Sequence, residues 1–490
     1  MEKTKKQIDV TLVGGGVMSL TLAVLISEIY PSKKIKIIER LNECGLESSN
    51  VLNNAGTGHA SYCELNYTPA NDKGEISIQK AIDINEMFEN SLEFWAYLSK
   101  KYKSFNIKNF LKKTPHISFV WGEKNTNFLK KRYASLKKQP LFKEMHFTTD
   151  PMVIQKWAPL LISGRNKKEK IAATKVDHGT DINFSALINE LLLLLKKNKN
   201  VKIEYNLEVK KINILCDGSQ ALIIQNKNGK IRHIYSHFIF IGAGGMSINL
   251  LQKIGIKEIL GYGGFPLSGK WLICKNKELI KKHKAKVYSQ AFEGAPPMSI
   301  PHLDIRLING EETLIFGPFA GFTSKFLKNG SYIDFFRSIK FNNIFSLINV
   351  SFKSAKLLIY LFKQSLMSHN SKMKQLKCFF PNTQNKDWNS YEAGVRVQII
   401  KKDSNNHVKL EFGTEIIFSN NNSLAGLIGA SPGASTACNS MLSVMEKFFP
   451  EKNTLKKIEK IIPSYNIKLN KNPDSLQKIR TKTYQSLGLW

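Results

Sequence analysis

Apolar runs and short polar or glycine-rich segments alternate over the first forty residues, in the order expected for strand, turn, helix and strand. Residues 10–13 form a short apolar run, a glycine-rich turn follows at 14–19, and residues 20–29 are almost continuously apolar. A second short apolar run at 35–40 ends in an acidic and a basic side chain. This succession predicts a parallel βαβ unit with a buried crossover helix.

Helical and strand-like patterns then alternate along the next two hundred residues. The apolar spacing of residues 78–102 is helical, and residues 184–196 form a strongly apolar helix whose predicted N-cap is Asp181 or Asn183. Alternation predicts strands at 201–205 and 207–209. A buried strand at 238–241 leads into a second glycine turn at 242–245, and ligands of parallel sheets bind at such strand ends.

The pattern changes after residue 255. Short runs bounded by glycine and proline at 286–289, 300–306 and 314–319 predict an antiparallel sheet. Residues 325–377 mix Phe, Ile and Leu with many lysines and little acid, which predicts helices with a basic face that carries aromatic side chains. A strand at 392–400 and a glycine- and serine-rich turn at 429–437 precede a last apolar helix that ends near residue 449.

These elements predict an α/β protein with a discontinuous, Rossmann-like nucleotide-binding domain. We expect this domain to comprise residues 1–70, 176–254 and 393–450. Residues 71–175 and 255–392 would form an α+β domain with an antiparallel sheet, and 451–490 a C-terminal extension. A chain of 490 residues exceeds the usual size of one hydrophobic core, which agrees with two domains.

Composition narrows the class of protein. The six cysteines include no CxxC pair and no zinc-like spacing, which favours a reducing compartment and predicts no metal site. The N-terminal residues lack the apolar region of a signal peptide, so we expect a cytoplasmic protein. The longest uncharged apolar run, 341–352, is too short to span a bilayer.

The net charge of +33 admits several interpretations. The lysines are spread over the whole chain among Ile and Asn, a composition that an AT-biased genome produces without selection for a partner. An anionic membrane surface would also attract such a chain. Nucleic acid is a third possible partner, although the chain contains no RNA-binding motif of the RGFGFV type.

The first glycine turn carries the most specific chemistry. Gly14 and Gly16 allow the backbone to approach a pyrophosphate, and Ser19 stands where the usual fingerprint has its third glycine. Glu39, at the end of the second strand, is placed to accept a hydrogen bond from a ribose 2′-hydroxyl. The sequence therefore predicts an adenosine diphosphate group, and the motif alone does not separate NAD from FAD.

Six long segments, in order, resemble the malate:quinone oxidoreductase family, which is related to the D-amino-acid-oxidase-like and 2-hydroxyglutarate dehydrogenases. The resemblance covers nearly the whole chain. Its segments are ESSNVLNNAGTGHASYCELNYTP (47–69), KVDHGTDINFSAL (175–187), IPHLDIR (300–306), LIFGPFAGFTSKFLKNGS (314–331), EAGVRVQIIKKD (392–403) and GASPGASTA (429–437).

The resemblance implies FAD as cofactor, oxidation of (S)-malate to oxaloacetate in the tricarboxylic acid cycle, and electron transfer to a membrane quinone. It implies that the enzyme associates peripherally with the inner face of the cell membrane and makes no use of nucleic acid. The second domain would then hold substrate and face the membrane. The residues expected to bind the cofactor are Gly14, Gly16, Ser19, Glu39, Arg40, Ser48, Asn54, Gly56, Thr57, Val209, Gly242, Gly244, Gly433 and Ala434.

Oxidation of a hydroxy dicarboxylate requires groups that hold two carboxylates and a base that accepts the hydroxyl proton. His59, His302, Arg306 and Arg396 are the candidates. Histidine accepts a proton near neutral pH, and arginine binds a carboxylate through two parallel hydrogen bonds. His59 could equally well bond a backbone carbonyl.

Two other functions remain open at this point. A related FAD-dependent oxidase or dehydrogenase of another 2-hydroxy or amino acid would pass electrons to oxygen. A basic flavoprotein associated with nucleic acid would bind RNA in a salt-sensitive way and turn over no small acid.

Overall fold

The computed structural model describes residues 7–290, 301–402, 407–430 and 433–490. Ile300, Asp403, Ser431 and Pro432, which belong to segments discussed above, lie outside the described residues. The helices are α1 (Val17–Ile29), α2 (Gln79–Lys101), α3 (Glu123–Leu136), α4 (Pro151–Trp157), α5 (Phe184–Lys197), α6 (Ser247–Ile254), α7 (Lys277–Lys281), α8 (Asp334–Ser338), α9 (Ile344–Lys353), α10 (Ala355–Ser365), α11 (His369–Phe379), α12 (Ala437–Phe448), α13 (Lys452–Ile461) and α14 (Pro473–Leu487).

Twenty strands lie in the described part of the chain. They are β1 (Gln7–Val13), β2 (Ile35–Ile38), β3 (Leu111–Lys113), β4 (His116–Trp121), β5 (His146–Thr148), β6 (Ile171–Val176), β7 (Thr180–Ile182), β8 (Val201–Glu204), β9 (Leu207–Ile214), β10 (Gln220–Asn226), β11 (Ile231–Ile241), β12 (Gly263–Cys274), β13 (Lys286–Tyr288), β14 (His302–Ile308), β15 (Glu311–Phe322), β16 (Asn389–Glu392), β17 (Arg396–Lys402), β18 (Val408–Glu411), β19 (Thr414–Phe418) and β20 (Leu424–Gly429).

The first sheet has a parallel centre. Its strand order is β19-β20-β11-β1-β2-β8, with β10 and β9 continuing from β11 as an antiparallel extension. Strands β20, β11, β1, β2 and β8 run parallel, and Leu12 of β1 lies opposite Phe240 and Ile37 in the two neighbouring strands. The expected α/β fold with a Rossmann-like sheet is confirmed.

Helix α1 is buried on nearly every side because it packs between this sheet and helices α5 and α12. That position explains why its sequence is apolar all round rather than along one stripe. Helix α5 begins at Asn183, whose side chain accepts a hydrogen bond from the Ala186 amide at 3.1 Å. Of the two predicted caps, Asn183 is therefore the one that the structure uses.

The second sheet is mostly antiparallel and contains ten strands, in the order β18-β17-β12-β15-β14-β13-β4-β6-β5, with β16 beside β12. The antiparallel pairing of β13, β14 and β15 agrees with the pattern of residues 286–319. The structure differs from the expected domain boundaries at β17 and β18. Both strands fall within the predicted range 393–450, yet they belong to the second sheet because β17 pairs with β12.

Helices α8 to α11 follow β15, as predicted for residues 325–377. Beneath α9 and α10, Leu347, Val350 and Leu361 pack onto apolar side chains of β12, β15 and β17. No single helix in the described ranges is both long and apolar enough to cross a bilayer. Helices α9 and α10 taken together have the required length and composition, and their axes are bent by 81° relative to each other.

Candidate active site

A cavity of about 1160 Å³ lies where the two sheets meet. Its wall includes Val13 and Ile38, at the carboxyl ends of β1 and β2, and His302 and Arg396 from the second sheet. Ligands of open parallel sheets bind at this end of the strands. The cavity is therefore placed to hold a nucleotide against the first sheet and a substrate against the second.

The turn between β1 and α1 lines one end of the cavity. Gly14 has a φ of +95°, and a Cβ atom on it would lie 2.5 Å from the carbonyl oxygen of Gly242 in the second glycine turn. Both constraints exclude any residue with a side chain. Gly16 begins α1 without a capping side chain and also lines the cavity, so the helix N-terminus is open to an anion.

Glu39 lines the cavity and fixes the backbone of this turn through hydrogen bonds. Its Oε2 accepts a hydrogen bond from the Gly15 amide at 2.7 Å, and its Oε1 accepts one from the Leu41 amide at 2.8 Å. The next residue, Arg40, lies 3.2 Å from Glu47 and also lines the cavity. A ribose placed here would lie beside a carboxylate whose orientation is fixed by two backbone amides.

The loop at residues 46–60 forms a second wall. Asn54 donates to the carbonyl oxygens of Ser48 and Asn50 at 3.1 and 2.8 Å and accepts from the Gly56 amide at 2.9 Å. These three bonds fold the loop onto itself. Thr57 is completely buried, and its hydroxyl lies 2.7 Å from the hydroxyl of Tyr288.

Most residues that the sequence singled out come together in this one cavity. Lining it are Gly14, Gly16, Glu39, Arg40, Ser48, Asn54, Gly56, Thr57, His59, Val209, Gly242, Gly244, His302, Arg396, Gly433 and Ala434. Ser19 and Arg306 are not part of its wall. Ser19 is fully buried behind the wall, where its hydroxyl would collide with a Cβ atom on Gly242.

His302 has the most restricted environment of the four catalytic candidates. Its Nδ1 lies 2.8 Å from Oδ2 of Asp304, its ring stacks on Tyr288 with centroids 4.2 Å apart, and Trp271 covers its edge. Burial opposes ionisation of Asp304, but the charges of His302 and Lys286 outweigh it and hold the pKa of Asp304 at about 2. Asp304 is therefore an ionised hydrogen-bond acceptor that faces Nδ1 of His302.

Arg306 lies behind the loop rather than in the cavity. Its Nε is 2.7 Å from Asp181, and it donates to the carbonyl oxygen of Asn54 at 2.7 Å. A Cβ atom on Gly56 would collide with this guanidinium. Lys286, also fully buried, lies 2.8 Å from Asp181 and donates to the carbonyl oxygen of Ala55 at 2.9 Å. The two cations thus fix the backbone of the loop at residues 54–56.

Arg396 and His59 line the cavity near Tyr288 and Tyr67. Burial lowers the pKa of Arg396, and the two tyrosines oppose that effect. His59 lies 2.9 Å from the hydroxyl of Ser435 through Nδ1. Burial, reinforced by the charge of Arg396, lowers the pKa of His59 to about 3, so its imidazole is neutral at neutral pH.

Three residues of the site were missed in the sequence. Asp304 could have been found, because residues two apart on a strand share a face and His302 had already been selected. Tyr288 and Lys286 lie on the short strand β13, where neither carries a local signal. Only the folded chain brings Lys286 to Asp181.

The described wall fits an FAD molecule. The glycine-rich turns at 14–16 and 242–245 let the backbone form one stretch of the cavity wall, and an oriented carboxylate lies beside them. Helix α12 starts at Thr436 without a capping side chain, next to Gly433 and Ala434, and supplies a second open N-terminus at the wall.

Comparison with known proteins gives concordant results. The profile of the malate:quinone oxidoreductase family matches residues 6–489. A probable malate:quinone oxidoreductase of Geobacillus sp. (strain WCH70) is 48% identical over 493 aligned residues, which span 100% of this chain and 97% of that protein. A probable malate:quinone oxidoreductase of Flavobacterium psychrophilum is 46% identical, with 100% of both chains covered.

Solved structures agree at the level of the fold. L-α-glycerophosphate oxidase from Mycoplasma pneumoniae with FAD bound is 17% identical and superposes with a TM-score of 0.61 over 92% of this chain and 98% of that one. Glycine oxidase from Bacillus cereus is 14% identical and has a TM-score of 0.60, with 92% and 97% covered.

Proposed function

The chain belongs to the malate:quinone oxidoreductase family, and we propose that it oxidises (S)-malate to oxaloacetate through FAD, with a membrane quinone as electron acceptor. The observation that carries this proposal is the single cavity in which two glycine turns and Glu39 meet His302 and Arg396. A nucleotide cofactor and a carboxylate substrate can be held there side by side.

The cofactor residues divide into two groups. The glycine turns and the N-terminus of α1 would bind the diphosphate, Glu39 would accept from the ribose, and Val209 and Arg40 would border the adenosine, since all of them line the cavity. The loop that contains Asn54 and the turn that contains Gly433 would border the flavin ring. FAD bound in this way would supply the acceptor for the hydride that leaves C2 of the substrate.

The substrate residues hold the carboxylate and accept the proton. Arg396 binds one carboxylate through both ends of its guanidinium and so orients C2. His302 accepts the hydroxyl proton at Nε2, because its Nδ1 already faces Asp304. Arg306 has no direct contact with substrate in this scheme and maintains the loop from behind.

A membrane surface is the second part of the proposal. Residues 335–386 contain nine Lys or Arg and no Asp or Glu. Phe341, Phe345 and Phe352 are 100%, 79% and 80% exposed, and Lys353, Lys356 and Lys363 are exposed beside them. Exposed aromatic rings interleaved with lysines suit insertion into an anionic lipid surface, such as the inner face of the cell membrane.

The experiment that tests the activity compares two electron acceptors. Purified protein should be yellow, release FAD on heating, and reduce a soluble quinone in the presence of (S)-malate with no need for NAD. A related oxidase of another acid would instead produce peroxide from oxygen and leave the quinone unreduced. Salt-sensitive RNA binding without any turnover of malate would favour a nucleic-acid-associated flavoprotein.

A further inference from the structure

Malate carries two carboxylates, and Arg396 provides a cation for only one of them. Two further cations, Arg306 and Lys286, are buried behind the loop at residues 54–56, where both face Asp181 instead of the cavity. An ionised group is costly to remove from water unless a partner compensates its charge. The second carboxylate therefore requires another positive charge on the cavity wall.

Lys80, on helix α2, supplies a cation at this wall. Its side chain is exposed, and its Nζ lies 5.5 Å from the centroid of the Tyr67 ring. The Tyr67 ring is buried, its centroid is 6.4 Å from that of the His59 ring, and it also lies near Arg396. Tyr67 thus connects Lys80 to the part of the wall that holds His59 and Arg396.

Among the described residues, no carboxylate forms an ion pair with Lys80. Asp83, one turn further along α2, also lines the cavity, but its Oδ1 accepts a hydrogen bond from the side-chain amide of Gln79 at 2.8 Å. Arg40, another cation of the wall, differs in this respect because it lies 3.2 Å from Glu47. The ammonium of Lys80 is therefore available to an anion in the cavity.

The stability of α2 does not explain a lysine at this position. Lys80 is the second residue of a helix of 23 residues, whose first turn contains no acidic side chain and whose N-cap, Ile78, forms no side-chain hydrogen bond. The positive end of the helix dipole disfavours a cation here. Residues that break a local preference are expected at functional sites. Both the helix terminus and the lysine favour an anion on this side of the cavity.

We propose that Lys80 is a specificity-determining residue: its ammonium binds the second carboxylate of the substrate, while Arg396 binds the first. This inference rests on the proposed function, since it needs a substrate with two negative charges. The flexible stem of lysine allows the ammonium to move from Tyr67 to the carboxylate. A monocarboxylate engages Arg396 alone, so the site selects dicarboxylates by their charge.

The first test replaces Lys80 by Met, which keeps an apolar stem beside Tyr67 and removes the ammonium. The KM for (S)-malate should rise about tenfold or more, because a hydrogen bond between charged groups is lost. The kcat should stay within about twofold of the parental value, as expected when an interaction of equal strength is removed from the ground state and the transition state. Lys80→Arg, which keeps the charge, should restore most of the affinity.

Binding of two unreactive acids separates a direct contact from a general attraction for anions. Succinate has two carboxylates and no hydroxyl group to oxidise, whereas butyrate has one carboxylate. The flavin absorbance of the holoenzyme reports the Kd of each acid. Lys80→Met should weaken succinate binding by the factor by which it raises the KM for malate, and it should leave butyrate binding unchanged.

The matched control is Lys100→Met, at the other end of α2. Lys100 is exposed and lies outside the cavity wall, so this variant should keep the parental KM and both Kd values. Lys80→Met should fold and retain FAD, because it removes a cation from the end of the helix where a cation is disfavoured.

Three results would overturn the role of Lys80: an unchanged KM for malate in Lys80→Met, an equal loss of succinate and butyrate binding, or loss of FAD from this variant. The last result would place Lys80 at the cofactor. Failure of the proposed function would look different, because malate would then not reduce the flavin of the parent protein.

Discussion

His302 and Asp304 lie on the same face of β14, with Nδ1 of the imidazole 2.8 Å from Oδ2 of the carboxylate. The strand places them two residues apart, so their spacing is set by backbone geometry rather than by a flexible loop. Asp304 also lies 3.3 Å from Nζ of Lys286. Lys286 in turn contacts Asp181, so the pair belongs to the buried charge network behind the loop at residues 54–56. His302, the proposed proton acceptor, is thus held in place by the sheet and by the buried charges around Asp304.

Replacing His302 by Asn should slow flavin reduction by malate about 10²- to 10⁴-fold, because general-base catalysis contributes rate factors of that size. Bound FAD should be retained. Stopped-flow absorbance under anaerobic conditions measures the rate, and His146→Asn, a change at an exposed histidine, serves as the control. If His59→Asn abolishes reduction while His302→Asn leaves it at the parental rate, His59 is the acceptor instead.

Replacing Arg396 by Lys should leave FAD bound and lower kcat/KM for malate by a factor of about 10² or more, because the positive charge remains while the planar pair of donors is lost. Steady-state kinetics and flavin absorbance measure the two effects. Arg232→Lys, on the exposed part of β11, makes the same exchange away from the cavity and should be neutral. Loss of FAD from the Arg396 variant would assign this residue to cofactor binding.

Replacing Glu39 by Arg should reduce FAD occupancy after dialysis. The change removes the proposed acceptor for the ribose and the observed bond to the Gly15 amide, and hydrogen bonds to a charged group are worth about 1.5–3 kcal/mol each. The flavin-to-protein absorbance ratio measures occupancy. Glu43→Arg makes the same charge change at a neighbouring exposed site and should retain FAD. Equal occupancy in both variants would show that Glu39 does not contact the cofactor.

Replacing Lys353, Lys356 and Lys363 together by Gln should weaken binding to anionic vesicles, since each lysine near such a surface contributes about 1 kcal/mol. Co-sedimentation at low salt measures binding, and added salt should reduce it for the parent. Lys124, Lys130 and Lys138 are exposed at or beyond α3, which presents no large exposed hydrophobic residue, and their triple replacement is the control. Equal binding by both triple variants, or no binding by the parent, would contradict a membrane role for α9 and α10.

Much of the fold follows from local pattern. The βαβ unit, the second glycine turn after β11 and the helices between β15 and β16 were all predicted, because each depends on a short period or a cluster of turn residues. The membership of β17 and β18 in the second sheet was not predicted. Their place in that sheet depends on the pairing of β17 with β12, which lies more than a hundred residues earlier in the chain. The local sequence of β17 and β18 does not indicate this long-range pairing.

The site was predictable to the extent that its residues lie in turns and motifs. Gly14, Glu39 and Arg396 were found in this way and line the cavity. The position of Arg306 was not predictable, because alternation along β14 shows which face it occupies but not that Asp181 lies against it.

The most direct test of the central claim is anaerobic addition of (S)-malate to the purified yellow protein, followed by a quinone. We expect the flavin absorbance to bleach on addition of malate, to stay unchanged with (R)-malate, and to return when the quinone is added. A flavin that stays oxidised with saturating (S)-malate would contradict the account.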